Sequence, residues 1–465
     1  MTKTIGIDSS TQSCKVLVVE AESGDVVSAS AAGHPDGTAV DPHLWVDALR
    51  TAWAGARAAE FQDVRAVGVG GQQHGMVALN SADEPVYDAL LWNDVRSAPE
   101  AREMREDLGG AAWVEAVNVV PVASFTLTKL AWLARHERAA AEQVHRVVLP
   151  HDWLNHALSG QFTTDRSDAS GTAYFSAVTN EYRTDLVERY FGRVPELPPV
   201  LGPHEKAGRV LPGWGLADAL LAPGAGDNAA AALGLGIRPG EVVVSIGTSG
   251  TVFASSGQPT RDPSGAVAGF ADAAGGHLPL LATLNAARVL AATAGMLQVD
   301  LPGLDKLASA GDAAAAGLTL LPYLDGERTP NLPEARGTLT GLSRGNMNPE
   351  NIARASVLGV LNSLADGLEA LRALGVDVRS VVLVGGGSKS RSLRKAAASV
   401  FGVPVEVPVT GEYVALGAAR QAAWTLLGEN PDWIRSIDAC YEPEEGWGAE
   451  VRGRYIDARK SVYGV

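Results

Sequence analysis

The sequence predicts an α/β protein built as two domains. A chain of 465 residues is long enough for two separate cores. Strand-like and helix-like patterns alternate in both halves, which is the signature of an α/β architecture. A hairpin near the N-terminus is repeated in shape past the midpoint. The boundary falls near GIRPGE, residues 236–241, which gives domains at 1–238 and 239–465.

Residues 4–20, TIGIDSSTQSCKVLVVE, read as a strand, a tight polar turn and a second strand. Residues 65–80, RAVGVGGQQHGMVALN, read as a strand ending in a Gly-rich loop, followed by another strand. Residues 84–97, EPVYDALLWNDVRS, add strand-like positions and a polar cluster, and 147–175 mix a short strand, a helix and a polar loop. GAGDNAA, residues 224–230, places a carboxylate between a Gly-Ala-Gly turn and an Ala-rich helix start. On the residues alone, Asp227 is a helix cap that complements the dipole, or a general base held beside a ligand. Residues 241–255, EVVVSIGTSGTVFAS, repeat the first hairpin with a Gly-Thr-Ser-Gly tip. Tips of this kind converge several N–H and O–H donors, which suits a phosphate. Either hairpin alone is an ordinary turn; the pair is the sharper signal.

A helix is expected over 349–373, with Ile352, Ala355, Leu361, Leu364, Leu368 and Leu371 on one stripe. Residues 381–407 read as strand, GGGS turn, helix and strand, and 412–428 as a further helix. The GGGS turn is neither GxGxxG nor a P-loop, so neither Rossmann nor Walker chemistry is supported. The Pro- and Gly-rich stretches at 34–42, 202–213 and 257–268 read as surface connections.

Apolar residues are 46% and charged residues 20%, as in an ordinary globular protein. The formal charge of −15 argues against nucleic acid or an anionic membrane as partner. Two cysteines, Cys14 and Cys440, are too few for a disulfide framework, and the N-terminal residues show no signal-peptide pattern. The expected compartment is the cytoplasm.

Taken together, GIDSSTQSCK (6–15), GQQHG (71–75), LLWNDVR (90–96), GAGDNAA (224–230), SIGTSG (245–250), LPYLDGERTP (321–330) and LVGGGS (383–388) resemble the FGGY carbohydrate kinases of the actin-like ATPase superfamily. Within that family the pattern is most similar to the xylulokinases. The resemblance covers nearly the whole chain in family order, and GQxHG with WNDxR is its most discriminating part. It implies two ribonuclease-H-like domains flanking a central cleft, ATP and Mg2+ as cofactors, and phosphorylation of D-xylulose at its 5-hydroxyl. A kinase for another ketose or polyol, such as D-ribulose or glycerol, is the alternative within the class. A conformational actin-like ATPase is the alternative outside it, and a catalytically dead sugar sensor is a further one.

By the same resemblance, Asp227 is the catalytic base and Asp8 the acidic residue that orients the metal ion. Thr11, Gln12 and Ser13 would meet the terminal phosphates, Gly247 and Thr248 the triphosphate, and Gly386, Gly387 and Ser390 the adenosine side. Lys15 is either an added phosphate contact or a surface lysine. Gln73, His74, Asn93, Asp94 and Asn228 would hold the sugar, with Trp92 and Arg96 in the same cluster; Trp45 is a weaker candidate for a cleft wall and reads more simply as core. Two departures stand out. Gln73 replaces a methionine common in the family, and Leu358 replaces a common acidic residue inside a helix, where packing rather than chemistry is affected. The sequence leaves the oligomeric state open, a homodimer included.

Overall fold

The computed structural model describes residues 2–216 and 218–465. The chain forms two compact units, one of Met1–Gly236, Gly257–Leu278 and Gly411–Arg435, the other of Ile237–Ser256, Pro279–Thr410 and Ser436–Val465. The units therefore interleave along the chain: two segments beyond the midpoint return to the first.

The first unit is organised by a seven-stranded sheet. Its central strand, Lys3–Ser9, runs antiparallel to Ser13–Glu20 and parallel to Val64–Gly71. The order continues outward to Val26–Gly33 on one side and to Leu220–Leu221 and Gly208–Arg209 on the other. Both faces are covered, so the central strand is nearly continuous in apolar or small residues rather than alternating. Ile5 and Ile7 are fully buried with Val16, Val18, Val67 and Val69. Trp45 sits in the same core, on the helix His43–Gly55, as its sequence context suggested.

The other face of this sheet carries the helix Tyr413–Leu427, which also packs on the helix Asp227–Leu235. The approach is closer than side chains permit. A Cβ at Gly6 would lie 1.8 Å from the Ala415 carbonyl oxygen, and one at Gly417 would lie 1.8 Å from that of Ala230. Gly6 sets how near the helix Tyr413–Leu427 sits to the sheet, and Gly417 how near the two helices sit to each other.

In the second unit, Glu241–Ile246 runs antiparallel to Gly250–Ala254 and parallel to Ser380–Val384. Val405–Pro408 and Ile437–Tyr441 extend that sheet beyond Ser380–Val384. The helix Pro349–Ala373 lies where its stripe placed it, and Leu358 is buried in it. Asp366 on this helix is gripped by Arg452 and Arg459 of the C-terminal helix Trp447–Tyr463, two elements the sequence reading did not connect. Both cysteines are free, Cys14 buried and Cys440 exposed. Among the described residues, no helix is long and apolar enough to cross a membrane.

Candidate active site

Strand register builds the site. On Val64–Gly71, Gly70 stands beside Asp8 on one side and beside Ala225 on the other, and Gly71 stands beside Ser9 and Gly226. Three parallel segments thus end at one level, with GQQHG leaving the middle one and Asp227 following the outer one. The carboxyl ends of such strands are where ligands bind in α/β sheets. Two strand spacings separate the Asp8 and Ala225 backbones, about 10 Å.

Asp8 is buried, 2% exposed, at the end of the central strand. Its Oδ2 accepts from Lys15 Nζ at 3.3 Å, directly across the hairpin, and Lys15 also reaches Glu412 at 2.7 Å. Its Oδ1 is buried without a protein partner. Burial raises the Asp8 pKa, and the Lys15 ammonium only partly offsets that. The hairpin that carries Asp8 ends in Thr11, Gln12 and Ser13; the indole Nε1–H of Trp92 donates to Thr11 Oγ1 at 2.8 Å, joining this tip to the WNDVR cluster.

Asp227 is the first residue of the helix Asp227–Leu235, and the cap position itself belongs to Gly226. Its Oδ1 accepts from the backbone N–H of Asn228 and from Asn228 Nδ2, both at 2.7 Å. No protein donor reaches Oδ2 among the described residues. The side chain keeps part of its surface accessible while the carboxyl lies deep in the unit. Burial, with the Asp8 charge added, pushes its pKa up to about 7, against the hydrogen bonds from Asn228.

Asn228 Nδ2 also donates to Gln73 Oε1 at 3.1 Å, so the GQQHG loop and the GDN turn share one polar chain. Gln73 is 4% exposed. His74 has a left-handed backbone, φ 69°, which turns its ring between Phe125 and Phe270 at centroid distances of 4.9 and 5.3 Å. In the WNDVR cluster, Asp94 Oδ1 accepts from Arg96 Nε at 2.8 Å and Oδ2 from Thr38 Oγ1 at 2.8 Å. Burial opposes ionisation of Asp94, but these bonds outweigh it and hold the carboxyl below its ordinary value. Asp94 is therefore tied to its own cluster, whereas neighbouring Asn93 keeps a buried Oδ1 with no protein partner.

One residue of this site was passed over in the sequence. Gln72 is fully buried, and neither its Oε1 nor its Nε2 has a protein partner. The doubled glutamine of GGQQHG is the sequence signal that points to it.

In the second unit, the SIGTSG tip and the GGGS turn leave adjacent parallel strands, with Ser245 paired beside Val384. Gly247 closes its tip through an N–H to Ser249 O bond of 3.0 Å, leaving Thr248 exposed. Gly386 and Gly387 form a single 3-10 turn, Gly386–Lys389. Ser390 has a structural task that sequence reading did not assign. Its Oγ accepts from Leu393 N as the cap of the helix Arg391–Phe401 and donates to Asp305 Oδ1 at 2.5 Å.

The two units, each with a hairpin whose polar tip lies at parallel strand ends, give the two-domain sheet-and-helix architecture of carbohydrate kinases, consistent with the actin-like ATPase fold. The chain belongs to the FGGY family of carbohydrate kinases: the family's N-terminal domain matches residues 3–234 and its C-terminal domain residues 242–426. Kinases of this family use ATP. The chain is 46% identical over 437 residues to a xylulose kinase of Streptomyces coelicolor, covering 92% of this chain and 88% of that protein. It is 34% identical over 444 residues to the xylulose kinase of Escherichia coli, covering 92% and 90%. The crystal structure of xylulose kinase from Bifidobacterium adolescentis superposes with a TM-score of 0.91 at 44% identity, over 98% of this chain and 99% of that one. Plasmodium falciparum glycerol kinase with ADP shares the fold, with a TM-score of 0.89 at 16% identity, over 100% of this chain and 98% of that one.

Proposed function

We propose that this chain transfers the terminal phosphoryl group of ATP to the 5-hydroxyl of D-xylulose, with Asp227 as the general base. The observation that carries the mechanism is the placing of the Asp227 carboxyl, on a side chain that keeps part of its surface accessible. The carboxyl stands two strands from Asp8, with Oδ1 held by Asn228 and Oδ2 left for a substrate hydroxyl. A sugar hydroxyl is a weak nucleophile, and a carboxylate that takes its proton as attack begins lowers the barrier. The rest of phosphoryl transfer is positioning and charge neutralisation. The substrate assignment is supported by the relatives, which are xylulose kinases at 46% and 34% identity over most of the chain.

In this reading Gln73, His74, Asn93, Asp94 and Asn228 recognise the sugar hydroxyls, with the buried amide of Gln72 added to them. Thr11, Gln12 and Ser13 receive the terminal phosphates, with Lys15 supplying charge through Asp8. Gly247 and Thr248 bind the triphosphate, and the backbone of Gly386 and Gly387 faces the adenosine, on a turn that Ser390 stiffens. The Asp8 Oδ1, a buried acceptor with no protein partner, fits a magnesium ion that shares its remaining coordination with water and phosphate. Bound there, the ion would neutralise charge on the phosphates.

A pH dependence follows from Asp227. A base works only when deprotonated, so with a pKa near 7 activity is full above that pH and lost below it. The acid limb of kcat/KM for the sugar is expected near pH 7, and about one-tenth of the activity remains one unit lower. A flat profile down to pH 5 would remove Asp227 as the base.

The substrate is tested by ADP release over a panel of ketoses and polyols with Mg2+ and ATP. D-xylulose should lead, D-ribulose follow, and glycerol fail, because it leaves buried donors and acceptors of the pocket unpaired. A clear preference for glycerol or an aldonic acid overturns the substrate and keeps the kinase. No stimulation by any sugar brings forward the conformational ATPase.

A further inference from the structure

Behind the GDN turn lies a buried group of acids that neither the sequence reading nor the reaction above uses. His151, Asp152, Asp165 and Asp168 are each 3% exposed or less. His151 Nδ1 lies 2.7 Å from Asp168 Oδ2, and its Nε2 lies 3.3 Å from Asp152 Oδ1. The surrounding carboxylates overcome burial and raise the His151 pKa to about 10. Its ring also fills the space in front of Gly224, where a Cβ would sit 2.4 Å from His151 Cδ2 and where φ is +90°. The turn that leads to Asp227 therefore rests on this ring.

Ser167 links the acidic group to the turn. Its Oγ–H donates to Asp165 Oδ2 at 2.6 Å, and its backbone N–H donates to the same oxygen at 2.7 Å. With its proton committed there, the Oγ lone pair accepts the backbone N–H of Gly226 at 3.0 Å. Gly226 is the residue immediately before Asp227. The Ser167 carbonyl lies 3.5 Å from Gln73 Nε2, and Gln73 Oε1 is held by Asn228. The two residues that flank Asp227 thus both trace back to Ser167.

We propose that Ser167, oriented by Asp165 and backed by the His151–Asp168 pair, is a positioning residue that sets the Asp227 carboxylate for proton abstraction. This rests on the reading of Asp227 as the base. Removing the hydroxyl leaves the buried Gly226 N–H without an acceptor, and the turn must shift to satisfy it. Displacement of a catalytic group by a fraction of an ångström to one ångström costs rate rather than affinity.

The test is Ser167→Ala, alone and combined with Asp227→Asn, with folding checked by thermal melting. In the parent background kcat is expected to fall about 10- to 100-fold, with KM for sugar and ATP within about threefold. In the Asp227→Asn background the same change is expected to cost nothing further, because there is no base left to misplace. A folded Ser167→Ala enzyme with kcat within twofold of the parent overturns the proposal. So does an equal loss in both backgrounds, which would mark a purely structural role. Should the alanine variant fail to fold, Ser167→Cys carries the test, since it keeps the volume and a weaker acceptor; its kcat is expected between parent and Asp227→Asn, and parental kcat overturns the proposal. Failure of the base reading shows separately, as near-normal turnover of Asp227→Asn alone.

Discussion

Asp227→Asn is expected to lower kcat by about 10²- to 10⁴-fold, the usual contribution of a positioned general base. The amide keeps the shape of the side chain and an oxygen that can accept the Asn228 N–H, so the start of the helix Asp227–Leu235 is preserved. KM for sugar and affinity for ATP should therefore change by no more than about threefold. A second readout separates base from helix support. The carboxyl is held where burial and the Asp8 charge disfavour ionisation. Replacing it with a neutral amide removes that cost, so the variant should melt at the parent temperature or above. Inactivity with undiminished stability is the mark of a group retained for function. Near-normal turnover in a folded variant would leave Asp227 as a helix-start residue, and a large fall in melting temperature would make it structural.

How much of this site could be read from the sequence depends on the kind of residue. The hairpins 4–20 and 241–255 were visible because alternating apolar residues flank short polar turns, and they appear as Lys3–Ser9 with Ser13–Glu20 and Glu241–Ile246 with Gly250–Ala254. The helix Pro349–Ala373 was visible from its apolar stripe at helical spacing, and the structure adds Asn348 as its cap. Asp227 and Asp8 could be singled out because their motifs carry chemistry. Asp165, Ser167 and Asp168 could not. In TDRSDASGT a run of acids and hydroxyls reads as a solvated loop, and only tertiary structure shows that it is buried around a histidine. The same limit hid the return of 411–435 to the first unit. Its helix pattern was plain, but an Ala- and Gly-rich stripe says that something packs closely without saying what.

That stripe carries the largest expected effect on stability. Gly417→Ala should destabilise the protein by about 3 kcal/mol or more, because the added methyl meets backbone rather than a side chain that can move aside. At Gly417 a Cβ would lie 1.8 Å from the Ala230 carbonyl oxygen, 2.6 Å from its carbon and 2.9 Å from Gly234 N. The only relief is to part the helices Tyr413–Leu427 and Asp227–Leu235. Helix propensity pulls the other way by only about 1 kcal/mol in favour of alanine, so the clash decides the sign. Gly453→Ala is the control: it lies within the helix Trp447–Tyr463, nothing stands within 4 Å of its Cβ, and it should be neutral or slightly stabilising. The consequence reaches the chemistry, because the displaced helix begins at Asp227. Where Gly417→Ala remains folded at low temperature, kcat should fall more than KM rises. Urea unfolding of both variants beside the parent measures the first effect and steady-state kinetics the second. An unchanged unfolding midpoint for Gly417→Ala would mean that the helices separate without cost, and the link from the glycine stripe to Asp227 would fall with it.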